Sequence, residues 1–182
     1  MRDTSVTVYS FDELSEDAQE RALNDLRWVN VEHNWWECSY DMIRTAGKLL
    51  GLRISDIQFD IYSYCTFDAH YRYVRGAAKA VRDEFPRADD LCYVARDLQA
   101  LQKRRSYSLS CEVTGGRSMN YYRCFRFGVD YECEDLGDIL DDFAHWARIL
   151  LRDEYEWLTS KEAIREMIEA NEYEFTEDGK LV

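Results

Sequence analysis

The chain has 182 residues, 46% of them hydrophobic and 14% aromatic, and a formal net charge of −13. One proline and eight glycines leave little room for long linkers, and the apolar content excludes general disorder. One domain over residues 1–182 is the expectation, burying about 70% of the surface its unfolded form exposes. No apolar run approaches the roughly 20 residues that span a bilayer, and residues 1–5 lack the apolar stretch of a signal peptide. A soluble protein of the cytoplasm is expected.

Taken in order, residues 6–9 form a short β-branched run that predicts a strand. Ser15 offers an N-cap, with Glu16 and Asp17 in the first turn, and Ala18, Ala22, Leu23 and Leu26 recur at helical spacing, predicting a helix over 16–28. Phe11, before the cap, is placed to pack back on that helix. A second helix is expected over 31–50, with Trp35, Cys38, Met42, Ala46 and Leu49 as its inner stripe and Gly51 as its stop. Residues 54–75 alternate apolar with polar or tyrosine, the period of a strand pair with one core face and one wet face.

Helices are expected over 77–85, ended by Pro86, and from Asp89 or Asp90 to the basic cluster Lys103-Arg104-Arg105. Residues 107–113 and 119–131 read as a second strand pair turning at Gly115-Gly116, with Tyr107 in the apolar set. Leu136, Ile139, Leu140, Phe143, Trp146, Ala147 and Leu150 mark the clearest amphipathic helix, and Ser160 caps a shorter one through Ala170. Residues 173–176 and Asp178-Gly179 suggest a closing strand and turn. The expected fold is α+β: an antiparallel sheet of five to six strands built from hairpins, with helices mainly on one face.

The six cysteines, 38, 65, 92, 111, 124 and 133, contain no C-x-x-C pair and are expected as buried thiols. Closely spaced ligand pairs are the usual mark of structural zinc, so neither a metal nor a cofactor is implied. No Walker loop, G-x-S-x-G or H-E-x-x-H occurs.

Charge is unevenly spread. From Glu132 onward sixteen carboxylates face five bases, a balance of −11. Such a field repels nucleic acid and attracts basic surfaces. The candidate partner-binding residues are therefore Asp138, Asp141, Asp142, His145, Asp153, Glu162, Glu166 and Glu169. Asp142 and His145 stand three apart, as in half of a di-iron motif, but no second carboxylate-x-x-His helix accompanies them. The middle of the chain carries bases instead, at Arg72, Arg75, Lys79, Arg82, Arg87, Arg96 and 103–105. On the wet strand face, Tyr62, Tyr64, Asp68, His70 and Arg72, with Tyr122 and Arg126 from the second pair, form an alternative ligand-binding set. His and Asp suit acid–base work, Arg suits an anion, and tyrosines suit stacking on a nucleotide.

Phe11-Asp12-Glu13-Leu14-Ser15-Glu16-Asp17-Ala18-Gln19-Glu20-Arg21-Ala22, followed by Asn34-Trp35-Trp36-Glu37, resembles a family of small acidic proteins encoded by tailed bacteriophages. Asp97-Leu98-Gln99-Ala100-Leu101-Gln102, Asp141-Asp142-Phe143-Ala144-His145-Trp146 and residues 170–179 are similar too. Members carry vague labels, "antitoxin" among them. The resemblance implies an accessory protein acting in a bacterial cytoplasm against a host toxin or defence system, and it brings no catalytic residues. With the charge it gives the leading expectation: a non-enzymatic inhibitor whose acidic C-terminal helices engage a basic, nucleic-acid-associated host protein, as a nucleic acid would. Direct nucleic-acid or membrane binding is not expected. The alternative is a nucleotide sponge or small enzyme on the tyrosine-rich sheet face.

Overall fold

The computed structural model describes residues 7–116, 125–127 and 134–182. The chain divides into two compact units: Met1–Trp35 with Asp153–Val182, and Trp36–Arg152.

The first unit gathers its apolar residues from both ends of the chain. A 3-10 turn at Phe11–Glu13 leads into helix α1, Glu16–Asp25. Ser15 caps α1 by accepting the Ala18 N–H, so the hydroxyl satisfies one of the donors a helix start leaves open. Phe11, Leu14, Ala18 and Ala22 pack with Ile164, Ile168 and Phe175. The Phe11 and Phe175 rings meet edge to face, with centroids 6.2 Å apart. Gly179, at φ 84°, lies against the Ala18 carbonyl, where any Cβ would collide with backbone. Helix α1 stops three residues short of the expected end, and a 3-10 turn follows at Val29–Val31. Two valines and an asparagine are poor helix formers, and Asn30 donates to the Leu158 carbonyl instead.

The second unit is the α+β body. Its four-stranded antiparallel sheet runs in chain order, β1 (Leu52–Asp60), β2 (Tyr64–Arg72), β3 (Ser110–Gly115) and β4 (Phe125–Phe127). Helices α2 (Glu37–Leu50), α3 (Ala77–Glu84) and α4 (Asp89–Arg104) belong to this unit. So does most of α5 (Glu134–Leu158), whose residues from Asp153 count with the first unit, as does all of α6 (Lys161–Ala170). One sheet face is apolar. The Phe143 ring of α5 meets Phe67 at 5.4 Å, Tyr40 of α2 donates to the Ile57 carbonyl, and Gln102 of α4 donates to the Tyr71 hydroxyl. Three helices therefore cover the same face, as expected.

Where five to six strands were expected, four form the sheet among the described residues. Tyr9 and Phe175 pair only as an isolated bridge, and Phe175 pairs likewise with Leu181. These segments belong to the first unit and serve its core rather than the sheet. Most of 119–131, the expected long strand, lies outside the described residues, and Phe125–Phe127 pairs with β3 as expected. Helix α2 begins at Glu37 rather than 31, and its buried face is Ser39, Ile43, Ala46, Gly47 and Leu50. Cys38 and Met42, read as inner, are exposed. The stripe is turned by one residue, because Ile43 and Leu50, seven apart, offer the better apolar seam. Cys65, Cys92 and Cys111 are buried, while Cys124 and Cys133 lie outside the described residues.

The phase of β1 changes midway. Leu52 and Ile54 pair with Tyr71 and Ala69, Ile57 and Phe59 with Phe67 and Cys65, and the register shifts between Ile54 and Asp56. A one-residue bulge there keeps all four apolar side chains on the core face although their numbers change parity.

Candidate functional site, a cationic groove on the sheet unit

The polar sheet face follows from the register. Arg53 stands across from His70 and His70 from Glu112, while Arg72 stands across from Ser110. Thr114 stands across from Arg126. Tyr64 begins β2, but Arg72 stands eight residue steps further along the strand, about 26 Å at 3.3 Å per residue. Tyr62 sits in the β1–β2 turn, 71% exposed, above the Asp60 carboxylate that accepts its N–H. That Asp60 carboxyl is held below its ordinary range, first by the Ser63 hydroxyl and then by the turn amides. The structure thus separates the alternative set: Tyr62 and Tyr64 mark one end of the hairpin, His70 and Arg72 the other. Asp68 accepts the Gly115 N–H at 2.9 Å, tying β2 to β3. Tyr122 lies outside the described residues.

At the His70–Arg72 end lies a groove of 710 Å³, lined by Arg44, Lys48, Arg53, His70, Arg72 and Tyr73 among others, with no carboxylate among the described residues of its lining. Local structure explains why these bases converge. Arg44 and Lys48 are four apart on α2, hence on one side of it. Gly51 ends α2 in the left-handed region at φ 90°, and its carbonyl accepts the Arg72 N–H at 2.9 Å. A Cβ at Gly51 would overlap the Arg72 carbonyl, so glycine allows the end of β2 to approach the end of α2. The bulge then turns Arg53 to the polar face. Lys48, Arg53 and Arg72 make no ion pair with a described residue, and Arg44 lies 3.8 Å from Asp41.

A second groove, of 830 Å³, is lined by Tyr73, Arg75, Lys79, Arg82 and Tyr107 among others. Tyr73 lines both, and its ring meets that of Tyr107 with centroids 5.0 Å apart. Tyr107 is not in a strand as expected. Ser106 and Tyr107 both adopt left-handed backbone, at φ 53° and 60°, a strained conformation for residues with side chains. Gln102 holds them. Its fully buried amide donates to the Leu109 carbonyl and the Tyr71 hydroxyl and accepts the Leu109 N–H, while its own carbonyl accepts the Tyr107 N–H. Burial pushes the Tyr71 hydroxyl up to about 12, so it stays neutral.

The acidic candidates do not share one unit. Asp138, Asp141, Asp142 and His145 belong to Trp36–Arg152; Asp153, Glu162, Glu166 and Glu169 belong to the other unit. Burial raises the Asp142 carboxyl, Asp97 raises it further, and His145 opposes both. No cluster of potential metal ligands occurs among the described residues. Glu162, Glu166 and Glu169 are exposed on α6, where Arg165 lies 3.9 Å from Glu169 and the same from Asp12. Counted by unit, the first has eighteen carboxylates against six bases, net −12, and the second eighteen against seventeen, net −1. The charge asymmetry follows the units as well as the C-terminal third.

A family model described as a domain of unknown function (DUF8835) matches residues 35–177. The chain belongs to the DUF8835 family. No curated protein and no solved structure matches it. The match covers every residue named in the two grooves of this DUF8835 chain. No described helix is long and apolar enough to cross a membrane. Sequence reasoning missed Arg44, Lys48 and Arg53 in this site, and it placed Tyr107 in a core strand. The available signal was the i, i+4 pair of bases just before Gly51, with Arg53 two residues beyond.

Proposed function

We propose that the Trp36–Arg152 unit binds a nucleotide-type ligand carrying more than one phosphate. The observation that carries this reading is the groove of Arg44, Lys48, Arg53 and Arg72, which has no carboxylate among its described lining residues in a chain of net charge −13. Lys48, Arg53 and Arg72 have no ion-pair partner among the described residues, so their like charges repel one another, and an anionic ligand relieves that cost. Arg favours phosphate because its planar fork makes paired charge-assisted hydrogen bonds. The Tyr73–Tyr107 pair beside the groove offers ring faces for a base, and Arg75, Lys79 and Arg82 extend the positive field beyond them. In the setting implied by the phage resemblance, such binding would deplete a host signalling nucleotide.

Titration calorimetry with a panel of mono-, di- and cyclic nucleotides tests the reading. Binding of at least one, weakened at least about 100-fold in Arg53→Glu/Arg72→Glu, is the expected result, since each lost charged hydrogen bond costs about 1.5–3 kcal/mol. Failure of the whole panel to bind would overturn it.

A second reading rests on the net −12 of the other unit. There the exposed Glu162, Glu166 and Glu169 would engage a basic protein surface, and salt would weaken the contact. Replacing the three by Gln should abolish capture of a basic partner while leaving nucleotide binding intact. A partner still bound by the triple variant would rule out α6 as the docking face.

A further inference from the structure

On the polar sheet face beside the groove, three side chains stand in a line of hydrogen bonds. Glu112 Oε1 lies 2.8 Å from His70 Nδ1, and Ser110 Oγ lies 3.2 Å from His70 Nε2. The backbone explains the line. Ser110 and Glu112 are two apart on β3 and so share a face, while His70 on β2 pairs directly with Glu112 and diagonally with Ser110. With the Nδ1 proton donated to Glu112, Nε2 is left as acceptor for the serine hydroxyl, the order of nucleophile, base and orienting acid. The hydroxyl has a second acceptor, the Tyr71 carbonyl at 3.1 Å, so its one proton is shared between two places. Cross-strand neighbours add charge: Arg72 faces Ser110 and Arg53 faces His70.

We propose that Ser110, His70 and Glu112 cleave a phosphodiester held by Arg53 and Arg72, an inference that takes its substrate class from the groove reading. Ser110 Oγ attacks phosphorus as its proton passes to His70 Nε2. The P–O bond to the leaving alcohol breaks, and that oxygen takes the proton from His70. Water then attacks the phosphoserine, giving its proton to Nε2. The P–Oγ bond breaks, and Oγ recovers the proton. The balance is diester plus water to monoester plus alcohol, with no redox step. Ser110 and His70 are the catalytic residues; Glu112 is a positioning residue that fixes the tautomer. The two arginines neutralise the charge that builds on the phosphoryl oxygens.

The test uses the full chain in EDTA-containing buffer with two probes: a fluorophosphonate, read by peptide mass spectrometry, and bis(4-nitrophenyl) phosphate, read by nitrophenolate release. The expected results are an adduct on Ser110 and a measurable rate. Ser110→Ala should abolish the adduct and lower the rate at least about 100-fold, and His70→Gln should lower it comparably. Glu112→Gln should reduce kcat more than KM, because the imidazole loses the partner that fixes its tautomer and orientation. All three positions are exposed, so circular dichroism should match the parent. Absence of the Ser110 adduct together with equal rates for parent and Ser110→Ala overturns the proposal. Calorimetry separates the two readings. A nucleotide that binds a chain with no adduct and no serine-dependent rate sinks the relay alone. An adduct and serine-dependent rate without nucleotide binding sinks the nucleotide reading alone.

Discussion

The two units contain equal numbers of carboxylates and very unequal numbers of bases. Each has eighteen, but the unit made from the chain's two ends answers them with six bases and the sheet unit with seventeen. In the first, three of the described bases are already engaged: Lys161 bonds Glu20 at 2.6 Å, Lys180 pairs with Asp178, and Arg165 covers the Phe11 ring. In the second, some bases are engaged and some are not. Arg104 bonds Asp135 at 2.8 Å and Arg148 donates to the Ile61 carbonyl, whereas Lys48, Arg53 and Arg72 collect in one groove without an ion-pair partner among the described residues. Net charge therefore misdirects. The most acidic part of the chain sets its pI, while the nearly neutral part holds the concentrated field.

Four changes sharpen this contrast, the largest first. Gln102→Leu should strip partners from the buried Leu109 N–H and carbonyl and from the Tyr71 hydroxyl. At about 1–3 kcal/mol per buried unsatisfied group, a loss of at least about 3 kcal/mol in urea unfolding is expected, with the Tyr107 loop released. Gly51→Ala should cost about 1–2 kcal/mol for left-handed backbone alone, with more from the collision with the Arg72 carbonyl. It should also weaken nucleotide binding, since it separates Arg72 from Lys48; unchanged affinity would detach Gly51 from the site. In the acidic unit, Ser160→Ala removes the hydroxyl that accepts the Ala163 N–H and should cost about 1 kcal/mol while leaving nucleotide affinity alone.

The smallest effect is a split in acid sensitivity. Glu13, Glu20 and Asp178 are held below the ordinary carboxylate range, chiefly by the Ser10 amide, Lys161 and the Thr176 hydroxyl. Their stabilisation is present above that range, about pH 4, and is lost as pH falls through their lowered values. Asp142 of the sheet unit has the opposite sign: its raised carboxyl is a cost at neutral pH, relieved as pH falls through its folded value. Asp60 opposes this within the same unit. Hydrogen exchange at falling pH should therefore show protection lost first in residues 7–35 and 153–182. Equal loss in both units would break the contrast.

Much of the fold was legible because its causes are local. Ser15 and Ser160 cap the helices their spacing announced, and Leu91, Val94, Leu98 and Leu101 are buried as their period requires. The alternation of 64–72 reads directly as β2. The site was less legible because its causes are not local. Arg44 and Arg72 lie twenty-eight residues apart, joined only by the turn at Gly51 and the β1–β2 register. Ser110 and Glu112 meet His70 only because of the β2–β3 pairing, about forty residues away in sequence and silent in any spacing rule. Grouping Tyr62 with Arg72 failed for a simpler reason. A strand that alternates cleanly still has length, and a shared face is not a shared place.

The β1 bulge carries one more consequence. Reading frame along a strand has two settings, and an extra residue at Ser55 switches between them. Any substitution at 55 keeps the setting, whereas removing that residue inverts everything upstream. Leu52 and Ile54 would turn toward water and Arg53 toward the apolar layer. Core and groove are thus written on opposite phases of the same few residues, so drift in chain length at this point erases both together. Changes in amino-acid identity there can be absorbed; changes in count cannot.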